Sequence, residues 1–475
     1  MNSDSVKINS LKRGTFMFIA REKEIALINE LLSKPSGSAM IYGKRKVGKT
    51  TLITEAVKKS RDKTIYYECI KSNLEDNLEG FTDVLIREHI LSASLSFRTF
   101  TDVFSYLNTL PETFNIIIDE YPYLKELSNS ETVDSVFQKI IDNSLSNIRL
   151  FISGSHIGMM KALLGEKNAL YGRFSLTIHL KELNYREAAA FYPEKEVYEK
   201  AGFYSVFGGS PYINSFIDSG RSLKDNIINT ILKDTHPVYQ YAEHLLITDF
   251  TNAVNAERIF YAISNGKKKY GEIESMLRMK NNGLLSKQLS TLTEMEIISK
   301  KFPVNKPDDN KKIFYEINDN LLRFYYSFIY KNKSALQVLG ADTFYEEYIE
   351  KPLMQFISFR FEEICRSYFS LEAISGRLKG VTNIGCYYYD DSVTRSSGEF
   401  DVVLQRRGTD TEYIYDVYEV KYYSSPLSQG EMYNEAEKIR RLKGLTLGKI
   451  GFIAMSGYEK KDELFHCICG DEIYK

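Results

Sequence analysis

An eight-residue run near the start of the chain constrains the fold more than any other feature. It matches the phosphate-binding pattern G-x-x-x-x-G-K-[ST] and reads Gly43-Lys44-Arg45-Lys46-Val47-Gly48-Lys49-Thr50. Residues 38–42 before it predict a buried strand, and residues 51–57 after it have the spacing of an amphipathic helix. The glycines let backbone N–H groups face phosphate oxygens, and the start of a helix adds a favourable dipole. The run therefore predicts a nucleoside triphosphate site between a strand and a helix.

Particular side chains of this run have expected roles. Lys49 is expected to reach the β- and γ-phosphates of ATP, and the Thr50 hydroxyl is expected to ligate Mg²⁺. The whole run, extended by Thr51 in the first turn of the helix, forms the predicted nucleotide-binding set. The predicted cofactors are therefore ATP and Mg²⁺.

Length and composition set broad limits on the rest of the chain. A chain of 475 residues is too long for one hydrophobic core and predicts roughly three domains. A net charge of −1 gives no overall attraction to nucleic acid or membranes, so a site for either has to be a local patch. The cysteines are scattered, and neither a signal peptide nor an apolar run long enough to cross a bilayer is present. These features predict a cytoplasmic protein without a membrane partner.

A pair of acidic residues follows a second apolar stretch. Residues 114–118 predict a strand that ends in Asp119 and Glu120. Asp119 is expected to hold Mg²⁺ through water, and Glu120 is expected to act as the general base that polarises the attacking water. Such a pair is common by chance, but its position downstream of a phosphate loop favours hydrolysis over nucleotide storage.

Two further residues are candidates for sensing the γ-phosphate. The predicted strand at 149–153 ends in Ser153, Gly154 and Ser155, and either serine can take this role; the alternative is an ordinary turn. Arg173 precedes a predicted strand at 175–180 and can stabilise transition-state charge in its own chain or in a neighbouring one. A surface salt bridge is an equally good interpretation of Arg173.

These motifs, in this order, resemble the archaeal-type ATPases of the AAA+/STAND superfamily. Residues 18–24 resemble the F-x-G-R-E-x-E box of that family, although Ala20 stands where glycine is usual. Residues 207–212 are similar to its G-G-x-P-x-Y motif, which is associated with the lid and the nucleotide base. The resemblance implies that Arg21 lies beside the adenine and that Pro211 belongs to the nucleotide site.

The middle of the chain predicts three helices and a hairpin over residues 256–317, the pattern of a winged helix-turn-helix. Basic residues outnumber acidic ones in this segment, which suits contacts to DNA phosphates. The alternative is a domain that relays the nucleotide state by packing. The basic residues are Lys267, Lys268, Lys269, Arg278, Lys280, Lys287, Lys300 and Lys301.

A second candidate site lies in the C-terminal part of the chain. Asp401 stands at the start of a predicted strand, and the next strand carries Glu419 and Lys421. Strand periodicity puts Glu419 and Lys421 on one face of the sheet, so Asp401 and Glu419 can share Mg²⁺ while Lys421 stands over the attacking water. This layout resembles the PD-(D/E)XK nuclease core, in which a helix glutamate, here Glu362, completes the site. Members of that group can lose activity and keep the fold.

The sequence as a whole predicts an α/β protein: a P-loop parallel sheet, a helical lid, a winged-helix domain and an α/β PD-(D/E)XK-like domain. The predicted boundaries are 1–180, 181–250, 251–335 and 336–475. The predicted function is a Mg²⁺-dependent ATPase that regulates a nuclease-like domain acting on DNA. The alternative is an ATP-driven switch that binds a protein partner or a second copy of itself, with the nuclease-like domain as an inactive scaffold.

Overall fold

The structure is a computed structural model. It describes residues 18–128, 130–249, 256–279, 283–307, 309, 312–391, 396–408, 412–442 and 444–475. Lys280 of the predicted basic set and residues 1–17 of the first predicted domain lie outside this range.

A five-stranded parallel sheet forms the centre of the N-terminal part. Its strands are β1 (Gly37–Tyr42), β2 (Lys63–Glu68), β3 (Phe114–Asp119), β4 (Ile148–Gly154) and β5 (Leu176–His179). They lie in the order β2-β3-β4-β1-β5. Apolar clusters cover both faces of the sheet, as expected for parallel strands packed between helices. The helices are α1 (Glu22–Leu32), α2 (Lys49–Val57), α3 (Leu74–Arg87), α4 (Phe100–Leu107), α5 (Tyr123–Glu126), α6 (Ser130–Asn143) and α7 (Ile157–Ala162).

The strand order brings three functional segments together. β4 lies between β1 and β3, so the chain after β4 lies between the phosphate loop and Asp119. The carboxyl ends of parallel strands share one edge of the sheet, and ligand sites form there. The predicted nucleotide site therefore has all its parts on one edge.

Helices follow the sheet and form the segment that we call the lid, residues 181–249. They are α8 (Tyr185–Ala188), α9 (Val197–Phe207), α10 (Pro211–Asn214), α11 (Leu223–Asn226) and α12 (Pro237–Asp249). The lid contacts the end of the chain, because the Tyr185 hydroxyl and the Arg186 guanidinium donate to the carbonyl oxygen of Ile473 at 2.8 and 2.7 Å.

Three helices, an antiparallel pair of strands and a short closing helix form the middle unit, residues 256–324. The elements are α13 (Ala256–Ser264), α14 (Tyr270–Leu277), α15 (Leu284–Glu294), β6 (Ile298–Lys301), β7 (Phe314–Ile317) and α16 (Asn320–Phe324). Ile298 pairs with Ile317 and Lys301 with Phe314. This is the element order that the sequence predicts for a winged helix.

A mixed sheet forms the C-terminal unit, residues 350–475, which follows α17 (Lys333–Phe344). The elements are α18 (Glu350–Ile374), β8 (Val381–Asp391), β9 (Ser396–Arg407), β10 (Tyr413–Lys421), α19 (Gln429–Arg441), β11 (Leu447–Ala454), β12 (His466–Cys469) and α20 (Gly470–Ile473). The strands lie in sequence order, with β9 antiparallel to β8 and β10, and with β10, β11 and β12 parallel.

One detail of the sequence-based prediction is wrong. Asp401 lies inside β9 and not at the start of a strand, because Ser396 to Glu399 pair with Tyr388 to Asp391 and lengthen the β8–β9 hairpin. The predicted pairing of this strand with the E-x-K strand is present as β9 with β10.

A single apolar core joins the lid, the middle unit and the C-terminal unit. It includes Phe203 of the lid, Ile259 of the middle unit and Tyr418 of the C-terminal sheet, and it is separate from the two cores of the parallel sheet. The lid therefore packs as part of the C-terminal half, and the apolar cores of the parallel sheet are separate from this shared core.

The loop after β6 docks on the free edge of the C-terminal sheet. We call its residues 302–307 the docking loop. Its Val304 is buried in the core of that sheet and donates from its amide to the carbonyl oxygen of Cys386 at 2.7 Å. The Asn305 side chain bonds both the carbonyl oxygen and the amide of Tyr388, at 2.8 and 3.2 Å. The loop thus covers edge strand β8, which would otherwise offer unpaired backbone groups.

None of the helices in the described residues is both long and apolar enough to cross a membrane.

Candidate functional site

The phosphate loop has the backbone that its sequence predicts. A Cβ atom on Gly43 would collide with the carbonyl oxygen of Leu180, so this position requires glycine. Gly48 has a φ of 95° and Lys46 a φ of 63°, both in the left-handed region that glycine adopts most easily. Gly48 is also the N-cap of α2, and no side chain caps that helix. The first N–H groups of α2 are thus available to an anionic ligand.

Lys49 is buried and reaches across the loop. Its Nζ atom contacts the carbonyl oxygens of Gly43 and Lys44 at 3.0 Å each and the Ser155 hydroxyl at 2.8 Å. The ammonium group therefore lies at the centre of the loop, between the helix start and the end of β4.

Four groups hold the carboxylate of Asp119. Its Oδ1 accepts from the Ser153 hydroxyl and, at 3.0 Å, from the Glu120 amide. Its Oδ2 accepts from the hydroxyls of Thr50 at 2.6 Å and Tyr66 at 2.9 Å. A carboxylate beside the threonine that ends the phosphate loop is an oxygen donor set of the kind that Mg²⁺ takes, so the residues fit the metal that the family implies.

Glu120 is tied to the end of β4. Its carboxylate accepts from the Ser155 hydroxyl at 2.5 Å and from the Ser155 amide at 3.1 Å, and its φ is 51°. Ser155 therefore links Glu120 to Lys49, whereas Ser153 supports Asp119. Of the two serines, Ser155 is the one that contacts Lys49, whereas a γ-phosphate-sensing role for either stays a prediction.

The lid closes the other side of the nucleotide pocket. A Cβ on Gly48 would lie 4.0 Å from Pro211, and the Ser210 hydroxyl donates to the carbonyl oxygen of Lys46 at 3.3 Å. The Lys46 ammonium lies 3.4 Å from the centre of the Tyr212 ring. The resulting cavity of about 410 Å³ is lined by Phe18, Ile19, Arg21, Arg45, Lys46, Val47, Gly48, Lys49, Thr50, Thr51, Glu68, Glu120, Tyr123, Ser155, Phe191, Pro211 and Tyr212.

Arg21 lines this cavity but its guanidinium is engaged elsewhere. It donates to the carbonyl oxygen of Lys181 at 2.5 Å and lies 3.5 Å from Glu24. Ala20 and Arg21 have φ values of 59° and 75°. Ala20 therefore adopts a conformation that glycine, the usual residue of the family at this position, adopts at lower cost. Arg21 fixes the start of α1 against the chain that leads into the lid.

The structure does not bring Arg173 to the phosphate loop of its own chain. The Arg173 carbonyl oxygen accepts from the Ser38 hydroxyl at the beginning of β1, whereas the phosphate loop follows the end of β1. Its guanidinium pairs with Asp142 at 3.0 Å. Within one chain Arg173 thus has the salt-bridge position of the alternative interpretation, and a role in a neighbouring chain stays a prediction.

Sequence reasoning missed several residues in the pocket or beside it. Tyr66 and Glu68 come from β2, Tyr123 accepts a hydrogen bond from Arg45 at 3.0 Å, and Phe191 comes from the lid. Burial and the nearby carboxylates of Asp119 and Glu120 raise the pKa of Glu68. The one available signal was that residues ending a parallel strand meet at the ligand edge, which applies to Tyr66 and Glu68 but not to Phe191.

The C-terminal acids lie close enough to perturb one another. Burial and the neighbouring Asp401 raise the pKa of Glu362 to about 9. Burial, Glu399 and Glu419 raise the pKa of Asp401 to about 6. Lys421 pairs with Glu419 at 2.8 Å. Nevertheless, no group of three or more His, Cys, Asp or Glu side chains among the described residues is placed to hold a metal ion.

The middle unit bounds a cavity that some of these acids line. The cavity measures about 170 Å³ and contains Glu362, Glu399 and Asp401 on one side. Its other side is formed by Lys268, Lys301 and Phe302 of the middle unit, among other residues. Lys268 also pairs with Glu316 at 3.6 Å. Six residues of the predicted basic set are exposed: Lys267, Lys269, Arg278, Lys287, Lys300 and Lys301.

Comparisons with known proteins agree with this architecture. Residues 18–213 match a family described as an ATPase domain predominantly from Archaea. Residues 325–439 match a family described as archaeal and bacterial proteins of unknown function. The uncharacterized protein MJECL04 of Methanocaldococcus jannaschii is 29% identical over 357 residues, which are 74% of this chain and 77% of that protein.

Two solved structures are similar to this chain, and the first of them shares its fold. The Walker-type ATPase PABY2304 of Pyrococcus abyssi has a TM-score of 0.50 at 18% identity, over 65% of this chain and 96% of that one. The ORC2 protein of Aeropyrum pernix, solved in ADPNP–ADP complexes, has a TM-score of 0.43 at 15% identity, over 67% of this chain and 94% of that one. The family match and the arrangement of the phosphate loop confirm the resemblance found in the motifs. The chain therefore carries an archaeal-type ATPase domain over residues 18–213, followed by a C-terminal domain of the second family over residues 325–439.

Proposed function

We propose that this protein hydrolyses ATP in a Mg²⁺-dependent reaction and that the nucleotide state controls its C-terminal half. The observation that carries the proposal is the chain of contacts from Lys49 through the Ser155 hydroxyl to Glu120, at 2.8 and 2.5 Å. It connects the residue type that binds the γ-phosphate with the residue type that activates water.

The residues divide the work of hydrolysis between them. The loop amides and Lys49 bind the phosphates, and Thr50 and Asp119 hold Mg²⁺. Bound Mg²⁺ supplies positive charge that offsets the charge of the phosphates. Glu120 accepts a proton from the attacking water once Ser155 releases its carboxylate. Ser155 therefore decides whether Glu120 faces the end of β4 or the substrate.

Contacts between the ATPase sheet and the middle unit support control by the nucleotide. Glu296 of the middle unit bonds His179 at 3.1 Å and Lys161 at 2.6 Å. Against the opposing effect of burial, these bonds lower the pKa of Glu296 to about 2. His179 stacks on Tyr42, whose ring centre is 4.6 Å away, one residue before the phosphate loop. Two contacts, Tyr42 with His179 and His179 with Glu296, thus connect the start of the phosphate loop to the middle unit.

A second route begins inside the phosphate loop. Lys44 pairs with Glu182 at 3.3 Å, at the start of the lid. Asp319, the N-cap of α16, is buried nearby, and burial and the adjacent Glu182 raise its pKa to about 6. The same lysine thus faces acids of the lid and of the middle unit, so nucleotide binding at the loop can shift both.

For the C-terminal unit we propose a PD-(D/E)XK-like domain that acts on DNA in a metal-dependent reaction. Support comes from the order of helix, three strands, helix and strand, with Glu362, Asp401, Glu419 and Lys421 on the first helix and the central strands. Oxygen donors of this kind suit Mg²⁺. The exposed lysines of the middle unit, as a winged helix, would contact DNA phosphates.

The second candidate function is an ATP-driven switch that binds a protein partner or a second copy of itself, with the C-terminal unit as an inactive scaffold. One observation favours it: the acids, over the described part of the chain, form no ligand group for a metal. Phe302 of the docking loop also lines their cavity from the side of the middle unit. In this case Glu362 and Asp401 stabilise an interface and perform no chemistry.

Side-by-side assays separate these functions. ATP hydrolysis is measured with Mg²⁺ for the wild type and for Lys49→Ala, and DNA cleavage is measured with Mg²⁺ or Mn²⁺ for the wild type, Asp401→Ala and Lys421→Ala. Cleavage that both substitutions abolish supports the nuclease. If every DNA form stays intact with ATP present, and if nucleotide changes the oligomeric state without DNA affinity, the switch is the function.

A further inference from the structure

A tyrosine of the neighbouring strand holds the acid that is expected to bind Mg²⁺. The Tyr66 hydroxyl donates to Oδ2 of Asp119 at 2.9 Å. Tyr66 belongs to β2, which pairs in parallel with β3, and Glu68 of β2 stands directly opposite Asp119. Tyr66 thus approaches the carboxylate from two residues further back along the adjacent strand.

Alternation along β2 assigns its two tyrosines to different tasks. Successive side chains of a strand point to opposite faces. Tyr66 lies against the face that carries α2 and the phosphate loop, whereas Tyr67 belongs to the core on the other face. The Tyr67 hydroxyl bonds the side chain of Asn77 at 3.0 Å. The two hydroxyls are adjacent in sequence, but only one reaches the nucleotide site.

The partners of Asp119 explain why that hydroxyl matters. Oδ1 has Ser153 and the Glu120 amide as donors, which are fixed parts of the sheet edge. Oδ2 has Thr50 and Tyr66. Thr50 is the residue expected to ligate the metal, so its hydroxyl serves two purposes. Tyr66 is the donor of Oδ2 that has no second task in the phosphate loop.

We propose that Tyr66 is a positioning residue for the Mg²⁺ end of the nucleotide site, acting by orienting the carboxylate of Asp119. The inference rests on the proposed Mg²⁺-dependent ATPase function. It predicts that Tyr66 affects the response to the metal more than the binding of the nucleotide itself.

The test compares Tyr66→Phe with Tyr67→Phe. Each variant loses one hydroxyl and keeps its ring, and the two sites are adjacent on one strand, so Tyr67→Phe is a matched control. Equilibrium binding of a fluorescent ATP analogue is titrated with Mg²⁺ and is repeated in EDTA, and thermal unfolding is recorded for both proteins. ATP turnover is measured at saturating and at low Mg²⁺.

For Tyr66→Phe we expect the Mg²⁺ concentration for half-maximal binding to rise about tenfold, the effect of losing one hydrogen bond to a charged group. Affinity for the analogue in EDTA stays within about twofold of the wild type, because the loop amides and Lys49 are intact. Tyr67→Phe leaves the Mg²⁺ response unchanged.

An unchanged or lowered Mg²⁺ requirement in Tyr66→Phe overturns the inference, and so does an equal rise in both variants, which would indicate a general loosening of β2. A wild type that hydrolyses ATP while Tyr66→Phe behaves identically leaves the proposed function standing and removes this inference alone. A wild type that neither binds nor hydrolyses ATP overturns both.

Discussion

The Nζ atom of Lys49 lies 2.8 Å from the hydroxyl oxygen of Ser155, and the same hydroxyl donates to Glu120. A residue of the phosphate loop and a candidate general base are therefore connected by one side chain. That side chain directly follows β4, the strand that lies between β1 and β3. In the proposed function, the occupant of the loop decides through Ser155 where Glu120 points.

Ser155→Ala tests this connection. Removing the hydroxyl deprives both charged groups of a hydrogen bond, so we expect kcat for ATP to change by about 10- to 100-fold, with a smaller change in KM. The expected direction is a loss, because Lys49 and Glu120 lose their common partner. Steady-state kinetics measure it. Ser105→Ala is the control, since the Ser105 hydroxyl lies 3.4 Å from the Ser144 hydroxyl, away from the site, and should behave as the wild type. A variant with normal kcat would exclude the proposed role of Ser155.

The adjacent residues Glu362 and Glu363 should respond to pH in opposite ways. Burial and Asp401 raise the pKa of Glu362 to about 9, well above the 4.5 of the unfolded chain. The folded protein therefore binds a proton that the unfolded protein has lost, and the free energy of unfolding falls as pH rises between these values. Glu362→Gln should remove part of this slope. Thermal unfolding at pH 6 and pH 8.5, within this range, measures it.

Glu363→Gln provides the matched control for that experiment. Although burial opposes them, Arg323 and Arg366 lower the pKa of Glu363 to about 2. Its contribution to stability is present above the unfolded pKa of 4.5 and is lost as pH falls toward 2. Glu363→Gln should therefore destabilise the protein equally at pH 6 and pH 8.5. Equal pH slopes in wild type and Glu362→Gln would show that Glu362 is not a buried, protonated acid.

Weakening the docking loop should expose the thiol of Cys386. Cys386 is buried, and burial raises the pKa of its thiol to about 12. The backbone carbonyl oxygen of Cys386 accepts a hydrogen bond from the amide of Val304. Asn305→Ala removes two hydrogen bonds to β8, so we expect maleimide labelling of Cys386 to accelerate about tenfold or more, since each bond contributes about 1 kcal/mol. The rate is measured in a Cys467→Ser, Cys469→Ser background.

Asn265→Ala is the control for this labelling experiment, because the Asn265 side chain donates to Tyr261 of its own helix, at 2.8 Å, and not to the C-terminal sheet. Its labelling rate should equal that of the parent. If Asn305→Ala also labels at the parent rate, the docking loop does not close the acid-lined cavity.

Arg173→Ala should leave ATP hydrolysis by dilute protein within about twofold of the wild type, and the loss of its exposed ion pair should cost less than about 1 kcal/mol of stability. The reason is its position at the edge of the sheet opposite the phosphate loop. Asp142→Asn, which breaks the same ion pair, should behave alike. A large loss of activity at low protein concentration would place Arg173 in its own active site.

Much of the nucleotide site could be predicted because its residues are local in sequence. The phosphate loop, the acid pair after β3 and the serines after β4 each follow an apolar strand, and strand periodicity is a short-range signal. The choice between Ser153 and Ser155 could not be predicted. The two residues are two positions apart, so strand periodicity gives them the same face, and only the position of the strand end distinguishes them. The contact between Tyr66 and Asp119 depends on strand order, which no local pattern encodes.

For Arg173, the sequence did contain the information that places it away from the phosphate loop. It precedes a strand that runs parallel to β1, and the residue that enters a parallel strand lies at the edge opposite to the one where ligands bind. The C-terminal acids were predicted individually, but the cavity around them was not. The cavity depends on the contact between the docking loop and β8. The residues in this contact are about eighty positions apart in the chain, and a short-range sequence pattern cannot predict such a contact.

The central claim is hydrolysis of ATP by the phosphate loop with Glu120 as the general base. Its most direct test is ATP binding and turnover with Mg²⁺ for the wild type, Lys49→Ala, Glu120→Gln and the control Glu126→Gln, which alters an acid that pairs with Lys71 at 3.3 Å. We expect turnover by the wild type and the control, no detectable turnover or binding for Lys49→Ala, and normal binding with turnover reduced about 10²- to 10⁴-fold for Glu120→Gln. Turnover at the wild-type rate in Glu120→Gln, or a wild type without ATP binding, would contradict the account.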